Sequence, residues 1–494
     1  MTPEAADESG RQKQSLAITA MFLVLMTVGA TQHELWRDEA HTWLLAGSMD
    51  SAWETAATSF AAGHPPAWPL LLQAMRSLGN DPALMALANG LLASLGVYVV
   101  ARFSPFSLAQ RCLYPLGFYP LYQYGLVSRS YAALVLLLLL YCALRPQLYR
   151  HPLRSTLPLI AMPWVHAFGV MIALAVAAVE GARVLVSTVE VEKRTRLTTG
   201  LVLVLLSSGT VALVLAGVPR DGMAPTTLQI GSVVQAIGSG FFPGFEQLEG
   251  RGLRRVGLLL WAGSWLCLIR RPWPLAQYAG WSSGLAAFFL LIYSGGPWHH
   301  GFFFIYFVAA IWLAWDEGPA PSAAASNLLT AILIIHVVVG GYAFGYDLRY
   351  PISDGAAAAR VVRSKGLLDL PLVGVRELEL QDGDRVYRFE IDQLQAMTVY
   401  LDSKPIYNPV SRAFEPIWFH YKTPDYFGDW LSREAITDEL SAVAHSLGSD
   451  LLVVVTRPQT TVAALLPHPA DKLRDLPPAA QYGETFSVYR FPRR

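Results

Sequence analysis

The chain has 494 residues, 53% apolar without counting glycine and only 15% charged, whereas soluble domains run at about 45–50% apolar with glycine included and about 25% charged. So little charge cannot cover that apolar surface, which excludes a soluble enzyme and makes lipid the solvent of most of the chain. The 37 basic and 37 acidic residues balance, so the basic field that nucleic-acid binding needs is missing and no nucleic-acid partner is expected.

A polar leader, residues 1–15, precedes an apolar run ending at Ala30. No small-residue cleavage site follows, because Thr31-Gln32-His33-Glu34 leads into Trp-rich sequence, so the run reads as a retained anchor rather than a secretory signal. Further apolar runs cover Pro82 to Ala101, Cys112 to Val127, Tyr131 to Leu144, Leu157 to Trp164, Phe168 to Val186, Leu197 to Val218, Leu253 to Ile269, Leu275 to Tyr293, Phe302 to Trp315 and Leu328 to Phe344. They predict about eleven transmembrane helices, several shorter than the ideal of about 20 residues. Cys112, Cys142 and Cys267 lie within such runs without metal spacing and read as small core residues.

Basic residues orient the spans. Arg102 and Arg111, then Arg145, Arg150 and Arg154, then Lys193, Arg194 and Arg196, then Arg270 and Arg271 fall in short loops that are expected to be cytoplasmic. Leu157 to Val186 has basic clusters at both ends, which one long helix cannot place on the same side. It therefore splits into a hairpin turning near His166, helped by Pro158, Pro163 and Gly169. With the amino terminus inside, an odd number of spans leaves the carboxyl terminus outside.

From Asp347 the texture becomes mixed charged and apolar, as in a soluble domain of residues 347–494. Ser353-Asp354 caps a helix over Gly355 to Lys365, Leu372 to Val375 reads as a strand, Asp392 to Leu401 as a helix, and Leu451 to Val455 and Phe486 to Phe491 as strands. The result is an extracytoplasmic α/β module. Its aromatic stretches Tyr407-Asn408-Pro409, Trp418-Phe419-His420-Tyr421 and Tyr426 to Trp430 suit either stacking on sugar rings or ordinary packing, with packing favoured.

The first external loop, residues 31–80, carries Trp36-Arg37-Asp38-Glu39-Ala40-His41-Thr42-Trp43 and then Gly63-His64-Pro65-Pro66-Ala67-Trp68. Two adjacent carboxylates just outside a span, flanked by interfacial Trp residues, are placed to meet the head group of a lipid-linked substrate. A solvated loop with an aromatic belt is the competing account. Pro66 opens the next helix and fixes His64 at its amino-terminal end, where free amides favour a phosphate. Asp38-Glu39-Ala40-His41 spells a helicase box, but no Gly-Lys pair exists to form the phosphate loop that such chemistry needs. His33-Glu34 begins like a zinc-protease helix, but Arg37 stands where the second histidine belongs. Arg129, His166, His299 and His300 are further polar residues in apolar surroundings. Each alone fits snorkelling or internal bonding, but all fall at the same ends of the spans as Asp38 and His64. His336 sits alone in an apolar run and reads as a packed helix histidine.

Together, the Asp-Glu pair after the first span, Gly63-His64-Pro65-Pro66 before an apolar helix, Ser128-Arg129-Ser130-Tyr131 before a leucine run, and the aromatic His299-His300-Gly301 segment carry a resemblance. Over about residues 16 to 345 the chain resembles membrane glycosyltransferases of the C-type fold, in the superfamily of protein mannosyltransferases, aminoarabinose transferases and rhizobial lipopolysaccharide-core transferases. The resemblance implies a polytopic α-helical membrane domain over 16–346. It also implies transfer of a hexose or pentose from a polyprenyl-phosphate carrier to a glycan, lipid or protein acceptor, on the outer face of a bacterial inner membrane. Asp38 is implied as the general base, with Glu39 assisting or binding a cation, and His64 beside it. Arg129, Tyr131, His166, His299 and His300 are the candidate substrate-binding residues. The second acid common in the family is replaced near Arg129 and Tyr131, which leaves a divalent cation open, with Glu39 and His64 as its candidate ligands.

The chemistry agrees with this: sugar transfer needs a base for the acceptor proton and donor groups for the departing phosphate, and a guanidinium suits phosphate. A transporter or flippase for a lipid-linked saccharide and a catalytically degenerate member of the fold are the competing readings. Transporters commonly show internal repeats and midplane binding groups, and this sequence shows neither.

Overall fold

The structure, a computed structural model, describes residues 3–186, 190–217, 230–244, 251–293, 295–380, 385–415, 429–457, 471–475 and 485–493. In chain order the described helices are α1 (Pro3–Ala30), α2 (Arg37–Ser48), α3 (Ala52–Ala61), α4 (Ala67–Arg76), α5 (Ala83–Phe103), α6 (Leu108–Leu113), α7 (Tyr131–Leu144), α8 (Pro152–Val165), α9 (Ala167–Val186) and α10 (Val191–Ala216). They continue with α11 (Ile230–Phe241), α12 (Arg251–Leu268), α13 (Pro272–Leu291), α14 (Pro297–His300), α15 (Phe302–Asp316), α16 (Ala323–Asp347), α17 (Gly355–Ser364), α18 (Gln395–Thr398) and α19 (Arg433–Leu447). The chain divides into two compact units. One comprises Met1–Ala30, Ser59–Trp68 and Ala86–Gly345, the other Thr31–Thr58, Pro69–Met85 and Tyr346–Arg494. Much of the segment 31–80 thus groups with the C-terminal segment.

The first unit is a bundle of apolar helices. Among the described residues, six stretches of helix are long and apolar enough to cross a membrane: Glu8–Ala30, Ala83–Phe103, Ala167–Val186, Val191–Ala216, Pro297–Asp316 and Ala323–Asp347. The chain is a multi-pass membrane protein. The other expected spans are helices as well, with one correction: Cys112 to Val127 is not a continuous span. It breaks into α6, a 3₁₀ turn at Tyr114–Leu116 and a π-helix at Phe118–Leu126, because Pro115 and Pro120 withdraw backbone donors and the chain widens to compensate. The buried Asn89 side chain on α5 satisfies carbonyls at the end of this π-helix, donating to Tyr124 O at 3.0 Å and Gly125 O at 2.7 Å. Among the helices that the sequence reading missed, α11 is only twelve residues long.

The expected hairpin exists, and its break falls on His166, whose backbone is extended between α8 and α9. Gly169 sits against the Met162 carbonyl, where a Cβ would collide. At the other end of α7 and α9 lies a buried ionic network. Arg145 reaches both Glu180 oxygens, at 2.8 and 3.1 Å, Gln277 donates to Glu180 at 3.1 Å, and Arg183 grips Glu317 in two bonds of 2.7 Å. Arg145, expected in a short cytoplasmic loop, is a buried tie between helices.

The second unit is built on a mixed sheet of β1 (Leu372–Glu379), β2 (Arg385–Phe389), β3 (Ile406–Asn408), β4 (Ala413–Glu415), β5 (Leu451–Arg457), β6 (Asp471–Asp475) and β7 (Thr485–Phe491). Its order is β4-β3-β1-β5-β7-β6, with β2 also paired to β1. The central strands β1 and β5 run parallel, with Val373 opposite Val453, and β7 closes antiparallel on β5. Side chains alternate as a two-sided sheet requires. Leu372, Leu452, Val454, Phe486 and Val488 pack with α17 and α18 on one face, and Val373, Val453, Val455, Tyr489 and Phe491 with α19 on the other. Ser432 caps α19 through the Ala435 amide, and Gly448 ends it in the left-handed region at φ 68°. The helix expected over Asp392 to Leu401 is reduced to α18 with flanking turns.

Candidate active site

Five of the residues singled out in the sequence gather in the first unit. Tyr131 opens α7, and its hydroxyl lies 3.1 Å from His299 Nε2. The Gly296 amide donates to His299 Nδ1 at 2.9 Å, so a neutral ring carries its proton on Nε2 and donates to Tyr131. His166, in the hairpin break, accepts the Phe168 amide on Nδ1 at 3.1 Å, which likewise leaves Nε2–H as its donor. Its ring lies 5.1 Å from that of Tyr131 and stacks at 6.1 Å over Phe302. His64 and Arg129 lie within electrostatic reach of His166. His64 is exposed and Arg129 half-buried. The Ser59 hydroxyl fixes the His64 turn by donating to the His64 carbonyl at 2.9 Å, with Gly63 at φ 81° making the turn. Tyr124, at the end of the π-helix, donates to the Trp298 carbonyl at 2.8 Å and so anchors the His299 turn. Histidine N–H groups, a tyrosine and a guanidinium at helix ends form a donor-rich cluster of the kind that suits an anion. His300 points elsewhere, being buried against Phe289. His336 is buried and stacked on Phe304 at 3.9 Å, as a packed helix histidine should be.

Asp38 and Glu39 belong to the second unit and have different fates. Both stand in the first turn of α2, where carboxylates suit the helix dipole. Glu39 is fully buried. Its Oε2 accepts from the Trp36 amide at 3.3 Å, as in a capping box, and lies 3.1 Å from His33 Nε2. His33 Nδ1 lies 2.7 Å from Asp347 Oδ2. A carboxyl group thus faces each ring nitrogen of His33, an arrangement that suits an imidazolium donating from both. Burial opposes that charge, but Asp347 and Glu39 outweigh it and raise the pKa of His33 well above its ordinary value.

Asp38 is more open, with 25% of its side chain exposed. Arg37 donates from Nε to Asp38 at 3.2 Å and from Nη1 to Asp392 at 2.9 Å. Asp392 precedes α18 and also accepts from Gln395 Nε2 at 3.3 Å, while Gln395 Oε1 lies 2.9 Å from His41 Nδ1. Burial raises the pKa of the Asp392 carboxyl; Arg37 opposes this, and Glu390 and Asp38 reinforce it. Sequence reasoning missed Asp392, His33 and Asp347 as parts of this site, and only His33 lay close enough along the chain to be noticed. Among the described residues, no three His, Cys, Asp or Glu side chains are grouped to hold a metal ion. Glu39 is committed to His33 and Trp36. Of the aromatic stretches, Tyr407 is buried in the core and Trp430 is half-exposed beneath Arg388; residues 416–428 lie outside the described residues.

No protein-family profile matches the chain, and no curated protein matches it in sequence. The fold, in contrast, matches solved structures over nearly its whole length. ArnT from Cupriavidus metallidurans in the apo state is similar at a TM-score of 0.57 and 14% identity, covering 96% of this chain and 97% of that one. The same protein bound to undecaprenyl phosphate gives 0.52 and 13%, with the same coverage. Arabinofuranosyltransferase AftD from mycobacteria gives 0.50 and 13%, covering 98% of this chain and 40% of AftD. The chain has the C-type glycosyltransferase fold.

Proposed function

We propose that this chain is a membrane glycosyltransferase that moves a sugar from a polyprenyl-phosphate carrier to a glycan, lipid or protein acceptor. The convergence of His64, Arg129, Tyr131, His166 and His299 carries this reading, because a phosphate leaving group needs such donors at the end of a membrane span. The likeness to an ArnT bound to undecaprenyl phosphate supports it. In the reaction, the acceptor hydroxyl attacks the anomeric carbon and gives its proton to Asp38. The bond from that carbon to the phosphate oxygen breaks with inversion, and the polyprenyl phosphate leaves as an anion, the kind of group that histidine, tyrosine and guanidinium donors suit. Glu39 positions the first turn of α2 through the Trp36 amide and His33.

The donor cluster borders the beginnings of α7 and α9, and Arg145 and Arg183 lie at their far ends, about 20 Å away at 1.5 Å per residue. With the basic ends cytoplasmic, the cluster faces outward, in keeping with a bacterial inner membrane protein acting on the extracytoplasmic side.

The test uses purified protein in vesicles, a panel of undecaprenyl-phosphate pentoses and hexoses, and a cell-envelope extract as acceptor pool, read by mass spectrometry. The wild type releases undecaprenyl phosphate and forms a new glycosidic bond. Asp38→Asn lowers that rate by about 10²–10⁴-fold while still binding undecaprenyl phosphate. Undiminished transfer by the variant refutes the role of Asp38, and sugar crossing the bilayer without a new bond refutes the transferase reading in favour of a flippase.

A further inference from the structure

Trp164 stands two residues before the His166 break, in the last turn of α8, and 37% of it stays exposed. An open tryptophan at the end of a membrane helix is ordinarily an interfacial anchor, which needs no fixed plane. This one is fixed. Its indole N–H donates to Ser207 Oγ on α10 at 2.9 Å, and the Ser207 hydroxyl donates in turn at 2.7 Å to the Ile160 carbonyl, one helical turn before Trp164. Ser207 thus ties both the ring and the backbone beneath it. The two helices come close enough for these bonds because of Gly200, seven residues before Ser207 on the same face of α10. It lies against Thr156 of α8, where a Cβ would stand 2.8 Å from the threonine hydroxyl. On another side Phe60 meets Trp164 edge-to-face, with ring centroids 6.2 Å apart. Phe60 closes the turn that leads into His64, its carbonyl accepting from the Gly63 amide at 2.8 Å. The ring is therefore bracketed by two histidines of the donor cluster: His64 through Phe60, and His166 through the chain itself.

We propose that Trp164 is the platform on which the sugar of the lipid-linked donor stacks. The inference rests on the reading of this chain as a polyprenyl-phosphate-sugar transferase. A sugar ring has apolar C–H faces and a rim of hydroxyls, and an aromatic ring flanked by histidine donors matches both. The phosphate that the cluster suits is bonded directly to the anomeric carbon, so the sugar lies one ring's width from whatever holds that phosphate. The isoprenoid chain is the other apolar neighbour of the phosphate, but a flexible chain adapts to a mobile ring. A rigid sugar gains most from an aromatic whose orientation is set before it binds, which is what Ser207 supplies. The platform acts on the sugar-bearing carrier alone, so the bare carrier left after transfer is held less tightly and can leave.

The full-length protein in vesicles is titrated with undecaprenyl phosphate and with a panel of undecaprenyl-phosphate pentoses and hexoses, and the ratio of sugar-bearing to bare affinity is read for each sugar. At least one sugar-bearing carrier binds the wild type more tightly than the bare one. Trp164→Leu weakens binding of that carrier by about tenfold and leaves undecaprenyl phosphate unchanged, whereas Trp164→Phe keeps most of the preference. Ser207→Ala, which leaves the ring but unties it, lowers the ratio by about threefold and gives the answer if Trp164→Leu does not fold. In the transfer assay both losses raise KM for the donor, with little change in kcat. Equal weakening of bare and sugar-bearing carriers assigns the ring to the isoprenoid or to helix anchoring and overturns the proposal. So does a ratio that no variant moves, or a wild type without preference for any sugar-bearing carrier. Absence of transfer despite an altered ratio overturns instead the transferase reading, since the binding arm needs no turnover.

Discussion

The buried triad of His33, Glu39 and Asp347 gives a sharp prediction. Replacing His33 with Gln removes the positive charge that sits 3.1 Å from Glu39 and 2.7 Å from Asp347. Both carboxylates are at most 1% exposed, and breaking a buried ion pair from one side costs about 3–5 kcal/mol. At about 1.4 kcal/mol per factor of ten, amides in the first turn of α2 should exchange with solvent about 10²–10³-fold faster in His33→Gln than in wild type, measured by hydrogen-exchange mass spectrometry at pH 6. The pH dependence has a definite sign. The pKa of His33 is raised in the folded protein, so its contribution is fully present below the unfolded value of about 6.5 and is lost as pH rises through the folded one. Wild-type protection of these amides, corrected for intrinsic exchange, therefore falls on going from neutral to alkaline pH. The variant, which has no ring to titrate, lacks this alkaline fall. Equal protection in the two proteins at pH 6 would refute the ionic account of how Asp38 is held.

Two further perturbations address the first unit. Arg145→Met strands Glu180 in the helix bundle and should destabilise it by about 3–5 kcal/mol, whereas Arg145→Met combined with Glu180→Gln recovers most of that loss. Heating with a thiol-reactive dye, after Cys112→Ser and Cys267→Ser, reports this through the buried Cys142. Asn89→Ala leaves the Tyr124 and Gly125 carbonyls without their side-chain donor and should cost about 1–3 kcal/mol. Because that π-helix leads into Arg129 and Tyr131, the same variant should bind undecaprenyl phosphate more weakly in a direct binding measurement.

What could be read in the sequence was what depends on local pattern. The hairpin at His166 followed from charge: two basic clusters cannot flank one long span. The strands Leu451 to Val455 and Phe486 to Phe491 followed from apolar runs between turn residues. The break at Tyr114–Leu126 was hidden because its tyrosines, prolines and glycines average to an apolar run, although Pro115 and Pro120 each withdraw a backbone donor. The twelve-residue α11 was too short and too glycine-rich to register. The donor cluster was legible as a set of polar residues at span ends. The identity of the groups around Asp38 was not, because Asp347 and Asp392 reach it only through tertiary folding, and in the sequence they look like ordinary acids of a charged domain.

The bond between His33 and Asp347 joins residues 314 positions apart, and this has a consequence for biogenesis. At about 5–20 residues per second, ribosomes make Asp347 roughly 15–60 s after His33. Throughout that interval His33, Glu39 and Arg37 have left the translation machinery without their distant partners, so they stay hydrated and the first turn of α2 is unfinished. The loop that carries Asp38 can close only after the last apolar helix and the segment beyond it have been delivered. A chain interrupted before Asp347 would therefore assemble membrane helices yet leave the first turn of α2 unordered, so that the order of this turn arrives late and all at once.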